Sequence, residues 1–336
     1  MSTEKFIFRH DSKNPTLEKY TEEAPLNSGD RLLYIHIPPP ETLNLSEKPG
    51  ILLLMDGNQE IISGSNYDST PDVLDKMYKK SEIPSQVTVF IPEAEDRIKE
   101  YACNPDFTEF LSNQLVPLLK TQFNCSNERE QTTIAGSSFG GLAATHAALT
   151  HPEVFGNCIS QSGAYWWSNQ WQGFDENDDW KNGKKTQALE STKKALSLDC
   201  VADTIRQSCG KPAVNFYLSG GEVEEKNTPS LQGESFPGAI SLNDKLWPVL
   251  EAAGHKVAVR KITEDQDNPL TGDHGPCSWQ KDKEKFALKI TNPEAFLAIK
   301  EELEKEYIKL SKQKHNPETD DKIPELEQTA TVSINK

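Results

Sequence analysis

A glycine-rich stretch near the middle of the chain contains the serine best suited to nucleophilic chemistry. Gly136-Ser-Ser-Phe-Gly140 follows the β-branched segment 132–135 and precedes an alanine-rich run that extends to about residue 150. A G-x-S-x-G pattern between a strand and a helix is typical of a nucleophile elbow, because the sharp turn tolerates only small flanking side chains. The pattern predicts Ser138 as the nucleophile, since Ser137 lacks glycines at the matching positions. The alternative is a turn whose glycines only permit tight packing.

A serine hydroxyl needs a base to remove its proton, and histidine usually supplies it. With this kind of elbow the order along the chain is serine, acid, histidine. Four of the seven histidines fail that order, and His255, His274 and His315 remain. His255 begins the last predicted strand and His315 lies in a charged tail. We therefore predict His274, in the loop just after that strand, as the general base.

The acid that orients such a histidine should follow the strand that ends at Leu218. The segment 219–225 offers three carboxylates there, those of Glu222, Glu224 and Glu225. The order of residues alone does not separate them. A serine–histidine dyad without an acid is the alternative, in which case the segment is only an acidic turn.

An acyl-transfer site also needs backbone N–H groups that stabilise the oxyanion. Phe139, directly after the predicted nucleophile, is positioned to supply one of them. The second is expected from the loop that follows the early buried strand, at Gly57 or Asn58.

These residues require a scaffold of alternating strands and helices. Apolar runs predict strands over 31–37, 50–55, 87–91, 132–135, 158–160, 213–218 and 255–262, and helical spacing predicts helices over 72–80, 107–123, 142–150 and 242–253. Strands separated by helices favour a mostly parallel sheet with helices on both faces. Together with the elbow, this pattern predicts an α/β-hydrolase fold.

The composition of the chain limits the classes of molecule that it can bind. The formal net charge of −16 argues against nucleic acids and anionic membrane surfaces. The first residues lead us to expect no secretory signal, no apolar run is long enough to span a membrane, and the six cysteines show no zinc-like spacing. We therefore expect a cytoplasmic protein with free thiols, a small-molecule substrate and no metal or cofactor. Secretion through a signal in the glutamate-rich C-terminal segment is the alternative for its location. The sequence does not indicate an oligomeric state.

We divide the chain into a hydrolase domain over 1–300 and a charged helix with a disordered acidic tail over 301–336. A polar, acidic insertion over about 165–212, with a helix near 186–198, is expected to form a lid. At its start, Tyr165, Trp166 and Trp167 are candidates for an aromatic platform under the substrate, or for packing the lid. Arg97 is a candidate for binding a substrate anion, or for an ion pair with Glu100.

Taken together, these motifs resemble those of the enterochelin (enterobactin) esterases and the wider esterase group around them, over roughly residues 30–290. The resemblance rests on Leu54-Met-Asp-Gly57, Arg97 to Phe107, Leu115-Val-Pro-Leu-Leu119, Ala135 to Leu142, Gln161 to Trp167, and Gly272-Asp-His274 with Trp279. It implies that the acid is Glu224, three residues after a glycine. It further implies hydrolysis of catecholate-siderophore esters without a cofactor.

The sequence therefore predicts a serine carboxylic-ester hydrolase that forms a covalent acyl-enzyme. A general acyl or feruloyl-type esterase, or an acyltransferase, would use the same residues. A non-catalytic binding protein with a hydrolase fold is the remaining alternative.

Overall fold

The protein is described here by a computed structural model that covers residues 3–10, 15–22, 26–27, 29–43, 47–167, 198–226, 230–231, 234–235, 237–263 and 272–313. The strands are β1 (Thr3–Arg9), β2 (Thr16–Lys19), β3 (Arg31–His36), β4 (Gly50–Met55), β5 (Gln86–Ile91), β6 (Thr132–Ser137), β7 (Asn157–Gln161), β8 (Asn215–Gly221), β9 (Ser230–Leu231), β10 (Glu234–Ser235) and β11 (Lys256–Ile262).

The helices lie between these strands and after the last one. They are α1 (Gly57–Glu60), α2 (Thr70–Lys79), α3 (Arg97–Tyr101), α4 (Pro105–Glu109), α5 (Val116–Gln122), α6 (Phe139–Thr150), α7 (Asp199–Ser208), α8 (Glu222–Lys226), α9 (Ala239–Ala252), α10 (Pro276–Lys285) and α11 (Phe296–Gln313). A π-helical turn over Phe110–Leu115 joins α4 to α5.

Nine strands form the central sheet in the order β11-β8-β7-β6-β4-β5-β3-β1-β2. The strands from β11 to β5 run parallel, whereas β3, β1 and β2 pair antiparallel along one edge. This arrangement confirms the predicted mostly parallel α/β fold. The carboxyl ends of the parallel strands share one edge, where open sheets of this kind usually hold their ligands.

Two strands at the antiparallel edge were not predicted. β1 pairs with both β2 and β3 and buries Phe6, Ile7 and Phe8. The segment is short and lies among charged residues, so its apolar content gave little signal. The sheet therefore begins near the start of the chain rather than at Arg31.

The sheet is covered on both faces, as the continuous apolar run of β4 predicts. Ile51, Leu53 and Met55 belong to a core shared with α6, and Leu52 and Leu54 to a second core shared with α2 and α11. All residues of α6 from Phe139 to Leu149 are buried. The elbow helix therefore runs through the middle of the domain.

The predicted lid is only partly described. The expected helix near 186–198 lies outside the described residues, apart from its last residue. Within the described part, α7 contributes Cys200, Val201 and Ile205 to the core around α6. That portion of the insertion therefore packs as part of the domain.

The boundary that we expected at residue 300 falls inside α11. Phe296, Ile299 and Leu303 of this helix are buried against the sheet. Residues 314–336 lie outside the described part of the chain. All six cysteines are free thiols, and four of them are buried. Among the helices of the described ranges, none has the length and apolar character to cross a membrane.

His255 is fixed in a neutral form at the start of β11. Its Nδ1 accepts the backbone N–H of Val214 at 3.2 Å, and its Nε2 lies 2.8 Å from the hydroxyl of Ser208. Burial lowers the pKa of His255 to about 4, and the charge of Arg129 acts in the same direction. Burial also lowers the pKa of His146 to about 4.

These two histidines should make the fold sensitive to mild acid. Below their unfolded pKa, about 6.5, the unfolded chain binds protons that the folded protein excludes until the pH approaches 4. The free energy of unfolding should therefore fall from pH 7 toward pH 5. In His255→Gln the melting temperature should fall less steeply over that interval when followed by circular dichroism. Equal slopes for the variant and the wild type would contradict this assignment.

Candidate active site

Ser138 sits at the sharp turn between β6 and α6. Its backbone has φ 56° and ψ −124°, a conformation that side-chain-bearing residues rarely adopt. The turn is held by hydrogen bonds from the N–H of Ser138 to the carbonyl of Gln161 at 2.9 Å and from the N–H of Ala164 to the carbonyl of Ser138 at 3.0 Å. The strained backbone presents the half-buried serine at the carboxyl edge of the sheet.

Glycine is required at both ends of the elbow because neighbouring atoms leave no room for a Cβ. A Cβ at Gly136 would lie 2.4 Å from the carbonyl carbon of Gly140, and one at Gly140 would lie 2.9 Å from a carboxylate oxygen of Asp56. Real Cβ atoms essentially never lie within 3.0 Å of other heavy atoms in this way. The G-x-S-x-G spacing therefore has a steric origin here.

Ser138, His274 and a carboxylate form a continuous hydrogen-bonded series. Nε2 of His274 lies 3.2 Å from Oγ of Ser138, and Nδ1 lies 2.9 Å from Oε1 of Glu224. The Glu224 side chain is largely buried, whereas that of His274 is 43% exposed. The geometry is that of a nucleophile, a base and an orienting acid.

The structure separates the three candidate acids. Of the three, Glu224 is the one whose carboxylate lies within hydrogen-bond distance of His274 in the described part of the chain. Glu225 accepts the backbone N–H groups of Ile240 and Ser241 and so caps the start of α9. Glu222 begins α8, beside β8, and is half-buried.

The loops that carry the acid and the base are joined directly. The N–H of Glu224 donates to the carbonyl of Gly272 at 3.0 Å. A Cβ at Gly221 would lie 1.9 Å from that same carbonyl oxygen, so the strand end can approach the loop only because residue 221 is glycine. This contact fixes the distance between Glu224 and His274.

Two residues near the acid were not predicted to have a role in the site. The hydroxyl of Ser162 donates to Oε2 of Glu224, and the indole N–H of Trp279 donates to Ser162. Trp279 was part of the motif around His274, but hydrogen bonds between side chains 117 residues apart leave no local pattern in the sequence.

The predicted oxyanion donors lie at two helix starts. α6 begins at Phe139 and α1 begins at Gly57, with Asn58 as its second residue. The first N–H groups of a helix have no partner within it, so such groups are available to a ligand. A Cβ at Gly57 would lie 2.4 Å from the backbone of Phe90, which makes glycine necessary there.

Arg97 forms an ion pair, but not with the predicted partner. Its guanidinium binds both carboxylate oxygens of Asp56, at 2.7 and 2.9 Å, whereas Glu100 pairs with Arg31. The structural ion pair expected for Arg97 is therefore present, but with Asp56 in place of the Glu100 that its spacing offered as an example. Asp56 is 7% exposed, and its burial raises its pKa, although the hydrogen bonds from Arg97 act in the opposite direction. Since Asp56 precedes Gly57, the pair braces the candidate oxyanion loop.

The aromatic residues after β7 divide into two groups. Tyr165 is fully buried, and its hydroxyl donates to Oγ of Ser160 at 2.6 Å, so its expected place in a substrate platform is wrong. Trp166 and Trp167 pack edge-to-face on Phe139, with ring centroids 5.5 and 5.4 Å away. Trp167 is buried and Trp166 is half-buried. Trp166 therefore remains the candidate for contact with a ligand.

In the part of the chain that the structure describes, no cluster of three or more histidine, cysteine, aspartate or glutamate side chains is arranged to hold a metal ion.

The sheet order and the elbow define a protein of the α/β-hydrolase type. Residues 28–202, slightly more than half of the chain, match the model of the family described as Putative esterase. The chain therefore belongs to this esterase family, as its motifs indicated.

Individual relatives extend the comparison. The iron(III) enterobactin esterase of Escherichia coli K12 is 39% identical over 100 residues, which are 29% of this chain and 25% of that protein. This chain thus aligns with about a quarter of that relative's length. The structure of enterochelin esterase from Shigella flexneri superposes with a TM-score of 0.56 at 21% identity, over 87% of this chain and 59% of that one. The BES protein from Bacillus cereus gives a TM-score of 0.52 at 16% identity, over 87% and 95%. Both structures share the fold.

The ion pair of Arg97 gives a test of its role. Removing one member of a buried pair leaves an uncompensated charge and costs about 3 kcal/mol. Arg97→Gln should therefore lower the free energy of unfolding by about that amount in urea denaturation. Asp56→Asn combined with Arg97→Gln should recover much of the loss, because no lone charge is then buried. Unchanged stability with a raised KM would instead indicate that Arg97 binds the substrate.

Proposed function

We propose that this protein is a serine carboxylic-ester hydrolase that works through a covalent acyl-enzyme. The observation that carries the proposal is the hydrogen-bonded series from Ser138 through His274 to Glu224, with distances of 3.2 and 2.9 Å. Membership of the esterase family supports the same class of reaction.

The arrangement suits a two-step reaction. His274 accepts the proton of Ser138 as the serine oxygen attacks the ester carbonyl carbon, and Glu224 stabilises the imidazolium that forms. The tetrahedral oxyanion is stabilised by the N–H of Phe139 and by an N–H of Gly57 or Asn58. His274 then protonates the leaving alcohol. Water, deprotonated by His274, attacks the acyl-enzyme to release the acid and regenerate Ser138.

We further propose that the ester carries an aromatic group of the catecholate kind. Trp166 is half-buried and packs edge-to-face on Phe139, the residue after the nucleophile, so its ring is the one placed for stacking on such a group. The name of the Escherichia coli relative, iron(III) enterobactin esterase, supports a siderophore ester as the substrate.

Charge favours the iron-free form of such a substrate. The chain has a formal net charge of −16, and the guanidinium of Arg97 is engaged by Asp56. A ferric tris-catecholate is a multiply charged anion, and the overall field of the protein opposes its approach.

The nucleophile and the base can be tested with a short-chain p-nitrophenyl ester. In a well-studied serine hydrolase, loss of either group lowers kcat by about 10⁶-fold. Ser138→Ala and His274→Ala should therefore reduce turnover to near the background rate in a spectrophotometric assay.

Ser137→Ala is the matched control, because it removes the neighbouring hydroxyl. That hydroxyl is buried and neither donates nor accepts a hydrogen bond within the described residues. Its kcat should stay within a few-fold of the wild-type value. Activity that survives in folded Ser138→Ala would refute the proposed nucleophile.

The substrate proposal can be tested with enterobactin and its ferric complex, followed by chromatography of the released acids. The iron-free trilactone should be hydrolysed with a kcat/KM about tenfold higher or more, because electrostatic repulsion slows the encounter with the complex. Added salt should narrow the difference by screening the charges. Faster hydrolysis of the ferric complex would contradict the charge argument, and no hydrolysis of either form would exclude this substrate class.

A further inference from the structure

The buried Ser162 lies beside Glu224, on the side of the carboxylate away from His274. Oγ of Ser162 lies 2.7 Å from Oε2 of Glu224, the carboxylate oxygen that does not face His274. The indole Nε1 of Trp279 lies 3.1 Å from the same Oγ. Trp279, Ser162 and Glu224 therefore form a second hydrogen-bonded series, which we call the positioning relay.

The direction of the hydrogen bonds in this relay is fixed by chemistry. An indole N–H can only donate, so the oxygen of Ser162 must accept from Trp279. The one proton of the Ser162 hydroxyl is then left for Glu224, and an ionised carboxylate can only accept. With Oε2 occupied in this way, Oε1 is held toward Nδ1 of His274.

The relay also fixes the tautomer of the base. Since Oε1 of Glu224 accepts, Nδ1 of His274 must carry a proton, and neutral imidazole then leaves Nε2 unprotonated. Nε2 is the atom that faces Ser138, at 3.2 Å. A general base needs that nitrogen free to accept a proton.

Ser162 is held in a costly conformation at the end of β7. Its backbone has φ 49°, its side chain is buried, and its N–H donates to the carbonyl of Ser219 at 2.8 Å. A non-glycine residue in this region is strained and persists only where its surroundings impose it. Glycine would adopt the backbone more easily but would supply no hydroxyl.

Trp279 contacts His274 directly and Glu224 through Ser162. Its ring packs edge-to-face on His274 with centroids 5.0 Å apart, and its carbonyl accepts Nε2 of Gln161 at 3.0 Å. The side chain thus supports the imidazole directly and the carboxylate through Ser162.

We propose that Ser162 and Trp279 are positioning residues, which orient Glu224 so that His274 presents an unprotonated nitrogen to Ser138. This inference rests on the proposed esterase function. It explains the orientation of His274 by a hydrogen-bonded series that begins at the indole N–H of Trp279.

Two substitutions of Ser162 distinguish the effect of its hydroxyl group from the effect of its strained backbone. Ser162→Ala and Ser162→Gly both remove the donor to Glu224, but glycine also relieves the positive φ. Loss of a hydrogen bond to a charged group should lower kcat about tenfold in both variants. KM should change little, because the relay does not touch the substrate. A loss that glycine restores would show that backbone strain is responsible, and this would overturn the proposal.

Trp279→Phe keeps a six-membered aromatic ring beside His274 but removes the indole N–H that donates to Ser162. Loss of this neutral hydrogen bond should lower kcat about fivefold. Combined with Ser162→Ala, it should add almost nothing, because the indole acts on Glu224 through Ser162; independent effects would multiply to about fiftyfold. Trp247→Phe, on α9 against Tyr307, is the matched control and should leave kcat unchanged.

A measurement that does not depend on turnover completes the test. The proton on Nδ1 of His274 should give a low-field proton NMR resonance in the wild type, absent in His274→Ala. This resonance should broaden or shift in both Ser162 variants and persist in Trp247→Phe.

The outcomes distinguish the two proposals. An unchanged resonance together with an unchanged kcat in the Ser162 variants would overturn the relay, even if Ser138→Ala is inactive. A wild type that hydrolyses no ester would overturn the proposed function, and the resonance alone would then decide whether the relay orients His274.

Discussion

The buried carboxylate of Asp282 accepts hydrogen bonds from side chains of three neighbouring strands. The donors are Gln161 of β7, Tyr217 and Ser219 of β8, and Arg260 of β11, at distances between 2.7 and 2.9 Å. A buried charge is stable only when it is paired and hydrogen-bonded, and removing one partner of such a pair costs about 3–5 kcal/mol. Asp282 lies on α10, three residues after Trp279, so this interaction binds the helix beside the base to the edge of the sheet that carries the nucleophile.

Much of the scaffold could be predicted, because its signals are local. A continuous apolar run such as β4 is buried on both faces, and the glycines around Ser138 reflect a turn with no room for Cβ atoms. β1 and α10 were not predicted, for opposite reasons. β1 is short and lies among charged residues, while α10 has a polar sequence whose residues Gln280, Asp282 and Lys283 are buried through hydrogen bonds.

The site was predictable only as far as residue order determines it. The order from serine to histidine pointed to Ser138 and His274, but the choice among three glutamates needed the resemblance to a family. For Arg97 the i+3 spacing offered Glu100 as an example of a partner, whereas the structure pairs it with Asp56, 41 residues earlier, and with Glu93 at 3.4 Å. Contacts between side chains far apart in sequence depend on the tertiary fold, and one sequence carries no periodicity that reports them.

Ser138 and His274 are anchored to the domain with very different strength. Ser138 begins a helix whose next eleven residues are buried, whereas His274 lies on a loop with 43% of its side chain exposed. Amide groups in the centre of such a helix exchange with solvent only when the whole domain opens, while exposed loops open locally at much lower free energy. Thermal fluctuations will therefore separate the pair mainly by moving the histidine. The amides around His274 should therefore exchange with solvent before those at the centre of α6.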